Sequence, residues 1–132
     1  MNTQTAMIVG AAALLALSAT SSAADEAAKS PAAGRQCFWT RNADGFAAAD
    51  NHTLNIRVGV RDVFQFEMFG PCQDIDWNQR IALISRSGSM ICTGMDATVI
   101  SHSQIGPQRC AVRSVRKLTP EEIAALPRRA KP

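Results

Sequence analysis

The stretch Thr53-Leu54-Asn55-Ile56-Arg57-Val58-Gly59-Val60-Arg61-Asp62-Val63-Phe64-Gln65-Phe66-Glu67-Met68 decides the fold class. Leu54, Ile56 and Val58 fall on one face of an extended chain, with Asn55 and Arg57 on the other. Strand side chains alternate between two faces, so this period of two marks a half-buried strand. Gly59 interrupts it, and Val60-Arg61-Asp62 reads as a turn. Phe64, Phe66 and Met68 then alternate with Gln65 and Glu67 in a second strand, which Gly70-Pro71 ends. Two such segments joined by a short turn begin an antiparallel meander.

Working outward, four more strands read as residues 81–85, 90–93, 98–100 and 110–115. They are separated by the turn Arg86-Ser87-Gly88, the break Gly94-Met95-Asp96 and the loop at Gly106-Pro107. Cys37-Phe38-Trp39 adds an edge strand, and the polar run from Gln73 to Gln79 around Trp77 reads as a loop. Short strands at this spacing predict a small antiparallel barrel or sandwich of about six strands. One short C-terminal helix is signposted. Thr119 suits the N-cap, Pro120 the first helical position and Glu122 the third position of a capping box. Leu118 and Ile123 stand at the staple positions, and Pro127 ends the run.

The N-terminus does not read as fold. Met7 through Leu17 is an unbroken apolar run, followed by Ser18-Ala19-Thr20-Ser21-Ser22-Ala23-Ala24, a small-residue cleavage pattern. Residues 1–7 hold no Lys or Arg, so the α-amino group alone supplies positive charge. The run is shorter than the roughly 20 residues a membrane anchor needs. Residues 1–24 are therefore expected to be a signal peptide and 25–36 a flexible tether. A single β-rich domain at 37–126 and a basic, frayed tail at 127–132 follow. No Cys stands beside the cleavage site, so lipid attachment is not expected. The exported chain should be soluble and periplasmic, with no transmembrane span left after cleavage.

Four cysteines, Cys37, Cys72, Cys92 and Cys110, fit an oxidising compartment and a disulfide-stapled domain. No two lie nearer than Cys92 and Cys110, which argues against a zinc site and against a C-x-x-C redox pair. Three pairings are open. Position favours Cys37–Cys110, tying the ends together, and Cys72–Cys92, a link between the end of the second strand and the strand after the Arg86–Ser89 turn.

The chain carries 14 basic and 11 acidic residues, a net +3, unevenly spread. Residues 25–85 hold 6 basic and 8 acidic side chains, and residues 86–132 hold 8 and 3, giving −2 and +5. Arg109, Arg113, Arg116 and Lys117, with Arg128 and Arg129, are expected to form one positive face able to contact anionic lipid or a polyanionic glycan. Nucleic acid is excluded as a partner. An exported chain rarely meets it, and these cations have no aromatic neighbours on which bases could stack.

No motif carries catalytic chemistry. Asp74-Ile75-Asp76-Trp77-Asn78 opens like a calcium loop, but the sixth position is Gln79 and the twelfth Ser85, where Gly and Glu are needed. A turn capped by Asp and Asn side chains is the simpler account. Ser87 or Ser89 with His52 or His102 and Asp50 or Asp96 would compose a triad on paper, yet no nucleophile elbow supports it. Asp44, Asp50, Asp62 and Asp96 are candidate acid–base carboxylates whose simpler role is turn capping. Phe64, Phe66, Phe69, Trp39 and Trp77 either line an apolar pocket or pack the core. Trp77, in a polar segment, is the candidate for an exposed binding side chain.

Three blocks carry a resemblance. They are Gly70-Pro71-Cys72, Ser85-Arg86-Ser87-Gly88-Ser89-Met90-Ile91-Cys92, and Gly106-Pro107-Gln108-Arg109-Cys110-Ala111-Val112-Arg113-Ser114-Val115. From Cys37 to Leu126 the chain resembles a family of small exported Gram-negative bacterial proteins described only as a domain of unknown function. The resemblance implies an envelope location and paired cysteines, and brings no catalytic, cofactor-binding or metal-binding residue. The expected function is a non-enzymatic periplasmic envelope module that binds a protein, glycan or lipid partner through Trp77 or the basic side chains. The alternative is a small periplasmic hydrolase using Asp and His residues at the turn loops.

Overall fold

The computed structural model describes residues 34–94 and 97–132; the expected signal peptide at 1–24, most of the expected tether at 25–36 and Asp96 lie outside them. The strand order is β1 (Cys37–Trp39), β2 (Ala43–Ala48), β3 (Thr53–Val58), β4 (Asp62–Met68), β5 (Ala82–Ser85), β6 (Met90–Cys92), β7 (Ala97–Ser103) and β8 (Gly106–Lys117). A single 3-10 turn, Thr40–Asn42, links β1 to β2, and the helix α1 (Pro120–Ala125) follows β8 before a last 3-10 turn, Arg128–Ala130. The alternating stretch folds as the sequence predicts. β3 and β4 pair antiparallel, with Leu54 opposite Phe66 and Ile56 opposite Phe64.

The other strands do not continue the meander. Six of them form one curled antiparallel sheet, a half-barrel in the order β2-β3-β4-β8-β7-β5, while β1 and β6 make a separate two-stranded ribbon. The 12-residue β8 produces the curl. Its first half pairs with β7 and its second half with β4, with a register shift at Glu67/Met68. Gly106 and Pro107, expected as loop, open this strand. Pro107 pairs with His102 where β8 has no β4 partner on its other side, so its missing N–H costs no ladder bond.

The concave face gathers Leu54, Ile56, Phe64, Phe66, Val99, Val112 and Val115 into one core. The ribbon contributes Phe38 and Ile91, register partners that are both buried, and Phe38 lies 4.6 Å from the Phe64 ring centroid. β2 went unread in the sequence. Ala43-Asp44-Gly45-Phe46-Ala47-Ala48 lacks β-branched residues, and tertiary pairing with β3 overrides that weak propensity.

The two disulfides are Cys37–Cys92 and Cys72–Cys110, which corrects the expected pairing of Cys37 with Cys110 and Cys72 with Cys92. The cause is topological. The expected link assumed that the strand after the Arg86–Ser89 turn lies beside β4. That strand, β6, instead pairs with β1 and sets Cys37 directly opposite Cys92. β4 neighbours β8, and Cys72, just past its end, reaches Cys110 there.

The expected frayed tail is also corrected. Residues 118–130 lie across the outer face of the sheet. Asn55 is buried, and its side-chain amide donates to the Ala130 carbonyl (2.7 Å) while its Oδ1 accepts from Gln65 (3.1 Å). Arg116 donates to Gln65 Oε1 and to Glu122 Oε1 (2.7 Å each), extending the network to the helix. The capping box forms as expected. Thr119 Oγ1 accepts from the Glu122 N–H (3.3 Å), and Glu122 Oε2 accepts from the Thr119 N–H (2.8 Å).

Candidate functional site

The loop between β4 and β5 is irregular in backbone but tied down along its length. Cys72, fully buried, is bonded to Cys110 of β8, and its N–H donates to the Asn51 carbonyl (2.8 Å). The Gln73 N–H donates to Gln108 Oε1 (3.3 Å), and Gln108 Nε2 returns a bond to the Gln73 carbonyl. Asp74 adopts a left-handed backbone (φ 55°), which Asp tolerates better than most residues, and its Oδ2 accepts from the Gln104 N–H (3.3 Å). Asn78 donates to Ser101 Oγ and to the His102 carbonyl (2.7 Å). The residues that imitate a calcium loop are thus held to the ends of β7 and β8. Asp74 and Asn78 each spend an oxygen or an amide on that attachment.

Two neighbouring side chains on this loop have opposite fates. Ile75 is fully buried in the core, whereas Trp77 is 82 % exposed. A large aromatic held in water on a fixed backbone costs little ordering entropy when a partner covers it. Trp77 lines a groove of about 640 Å³ whose other side is the β2–β3 hairpin, from Phe46 to His52, with Arg129 at its margin. A second hollow of about 560 Å³ continues from it past Phe46, between β2 and residues 79–83, over Ile56, Ile81 and Leu83. β2 and β5 are the two ends of the sheet order, so this seam is the opening of the half-barrel. The turn Thr40–Asn42 packs against β5 at one end of the seam.

The basic residues do not form a free positive face. Arg113 is ion-paired with Glu67, Arg116 with Glu122 (2.7 Å), and Lys117 with Asp62 (2.9 Å). Arg109 has no ion pair among the described residues and stands on β8 opposite Ile100. Lys117 also lies 6.0 Å from the Phe64 ring centroid. Arg129 separates from this set and joins the Trp77 groove.

The polar candidates are dispersed. Asp50 Oδ1 accepts from the His52 and Thr53 N–H groups (2.7 and 2.8 Å), a turn cap, and both Asp50 and His52 line the Trp77 groove. Ser87 and Ser89 line a different hollow, with Arg35, Cys37, Trp39, Met90 and Cys92. Asp44 lies at the β-bulge of β2, and Asp62 opens β4. Among the aromatics, Phe64 and Phe66 are core residues, while Phe69, Trp39 and Trp77 are exposed. Sequence reasoning singled out Trp77 but missed Phe46 and the rest of β2, because the groove exists only once that strand stands opposite the stapled loop.

The shift of the Glu122 carboxyl is structural. Its bond from the Thr119 N–H, and then its contact with Arg116, hold it below the ordinary glutamate range.

No curated protein and no solved structure matches the chain. The β-rich, doubly disulfide-bonded structure accords with the resemblance carried by its Gly70, Cys72, Cys92 and Cys110 blocks, and a family profile matches residues 3–131. The chain belongs to the family of unknown function DUF6491.

Proposed function

We propose that the chain is exported, that residues 1–24 are removed as a signal peptide, and that the mature protein is a non-enzymatic binding module of the periplasm. Two disulfides in so small a domain support an oxidising compartment. No described helix is long and apolar enough to cross a membrane. The observation that carries the binding reading is Trp77. An indole 82 % exposed on a loop fixed by a disulfide and by the side chains of Asp74, Asn78 and Gln108 is a preorganised anchor beside a groove. The partner lies in that groove, between Trp77 and the β2–β3 hairpin. The pairing of Arg113, Arg116 and Lys117 with carboxylates weighs against the basic side chains as the main contact with anionic lipid or glycan.

The test is retention of envelope components on the oxidised protein, compared with Trp77→Ala. The wild type retains a discrete component, and the variant, with unchanged circular dichroism, loses at least nine-tenths of it. Equal retention by both proteins would remove Trp77 from the site.

A further inference from the structure

We propose that the occupant of the Trp77 groove is an extended polypeptide strand, which adds to the free edge of β2. The proposal rests on the groove-binding reading above and names its ligand. β2 ends the sheet order, so among the described residues no strand lies beside the backbone N–H and C=O groups that point away from β3, and the turn Arg128–Ala130 is the other element packed near β2. All six β2 residues line the seam, Ala43 to Phe46 in one hollow and Phe46 to Ala48 in the other. Five of the six are Ala, Gly or Asp, so a second backbone can approach closely. An unpaired row of alternating donors and acceptors is matched most fully by another strand, and apolar pockets beneath it then select alternate side chains. Phe46, Ile81 and Leu83, partly buried against the core, supply such a floor.

Charge fixes the register of the occupant. At the β5 end the seam is lined by Arg41 and Arg80 against Asp44 alone, and at the other end by Asp50 and Asp76 against Arg129. The strand therefore carries an acidic residue at the Arg41–Arg80 end and a basic residue at the Asp50–Asp76 end. A second copy of this chain fits less well. Residues 75–83 wall the seam on the far side, which admits a lone strand but obstructs the edge of a complete sheet.

The experiment selects displayed random ten-residue peptides on the immobilised oxidised protein. The enriched peptides are then made with and without methyl groups on alternate backbone nitrogens. Expected are alternating apolar residues with opposite charges at the two ends, at least tenfold weaker binding after N-methylation, and slower amide exchange across Ala43–Ala48. Arg80→Glu, an exposed position, should reverse the charge preferred at its end. Enriched peptides that need Trp77 yet bind equally when N-methylated overturn strand addition and leave the groove reading standing. No enriched peptide, with an envelope component still retained through Trp77, assigns the groove to a non-peptide ligand and overturns the proposal. A concentration-dependent dimer that protects Ala43–Ala48 without peptide overturns it in favour of a second copy. Loss of both peptide enrichment and Trp77-dependent retention removes both readings.

Discussion

The side-chain amide of Asn55, buried in the middle of β3, donates a 2.7 Å hydrogen bond to the carbonyl of Ala130, 75 residues further on. The bond is the innermost link of a chain that runs through Gln65 and Arg116 to Glu122 and the Thr119 N–H. A buried polar group left without its partner costs its full desolvation, and truncating Asn55 leaves the carbonyl of buried Ala130 in that position. Asn55→Ala should therefore lower stability by about 1–3 kcal/mol in urea unfolding. Removal of residues 128–132 should lower it by a similar amount, and the two changes together by less than their sum. Full additivity would show that Asn55 and Ala130 do not share an interaction.

The disulfide pairing is open to direct measurement. Non-reducing peptide mapping should yield Cys37–Cys92 and Cys72–Cys110 linked fragments and no Cys72–Cys92 fragment. The bridges span 55 and 38 residues, and the chain-entropy relation assigns each about 4 kcal/mol. Replacing Cys72 and Cys110 together with Ser should lower the melting temperature steeply. It should also speed amide exchange in residues 72–78, because that bridge holds the Trp77 loop. Exchange unchanged there would mean the side-chain bonds of Asp74, Asn78 and Gln108 suffice.

The parts of this fold that were legible in the sequence are those where a local pattern and the final packing agree. Leu54, Ile56, Phe64 and Phe66 alternate because one sheet face is buried, and their strands form where the alternation stands. Thr119, Pro120 and Glu122 form their capping box within four residues, so nothing distant was needed. Pairing between strands is a different matter. The splitting of β8 between β7 and β4, and the departure of β6 to join β1, rest on contacts far apart in sequence. Asn55 reads as a solvent-facing residue from alternation alone, since its cover comes from the C-terminal turn. For the site, Trp77 was visible as an apolar residue in a polar run. Phe46 was not, because Ala-Asp-Gly-Phe-Ala-Ala has no strand signature until β3 supplies its partner.

Glu122 sets a pH dependence. The Thr119 N–H and Arg116 lower its pKa in the folded state, so the folded form binds its proton less readily than the unfolded chain does. Its contribution to stability is present above the unfolded pKa near 4.5 and is lost as pH falls through the lower folded value. The side chain is exposed to solvent, so the effect is small. Glu122→Gln should be less stable than wild type at pH 7, and the difference should shrink as the pH is lowered below 4. A difference that stays constant to pH 2.5 would exclude the carboxylate as its source. Thr119→Ala, which removes the other half of the box, should cost about 1 kcal/mol at pH 7.

The contrast between Ile75 and Trp77 separates what the loop does for the fold from what it does at the surface. Ile75 is fully buried beside Cys72 in the core cluster, and truncation to Ala leaves a cavity there. The expected loss is about 2–5 kcal/mol in denaturant unfolding. Trp77, two residues on, is 82 % exposed and takes part in the fold through its backbone, whose N–H donates to the Asp74 carbonyl (3.1 Å). Trp77→Ala keeps that N–H and removes solvated surface, so its stability should stay within about 0.5 kcal/mol of wild type. The unfolding midpoints of the two variants, measured side by side under oxidising conditions, decide the matter. A Trp77→Ala loss approaching that of Ile75→Ala would make the indole a packing residue and withdraw it as a binding anchor. A wild-type midpoint for Trp77→Ala leaves an exposed aromatic that the fold does not need.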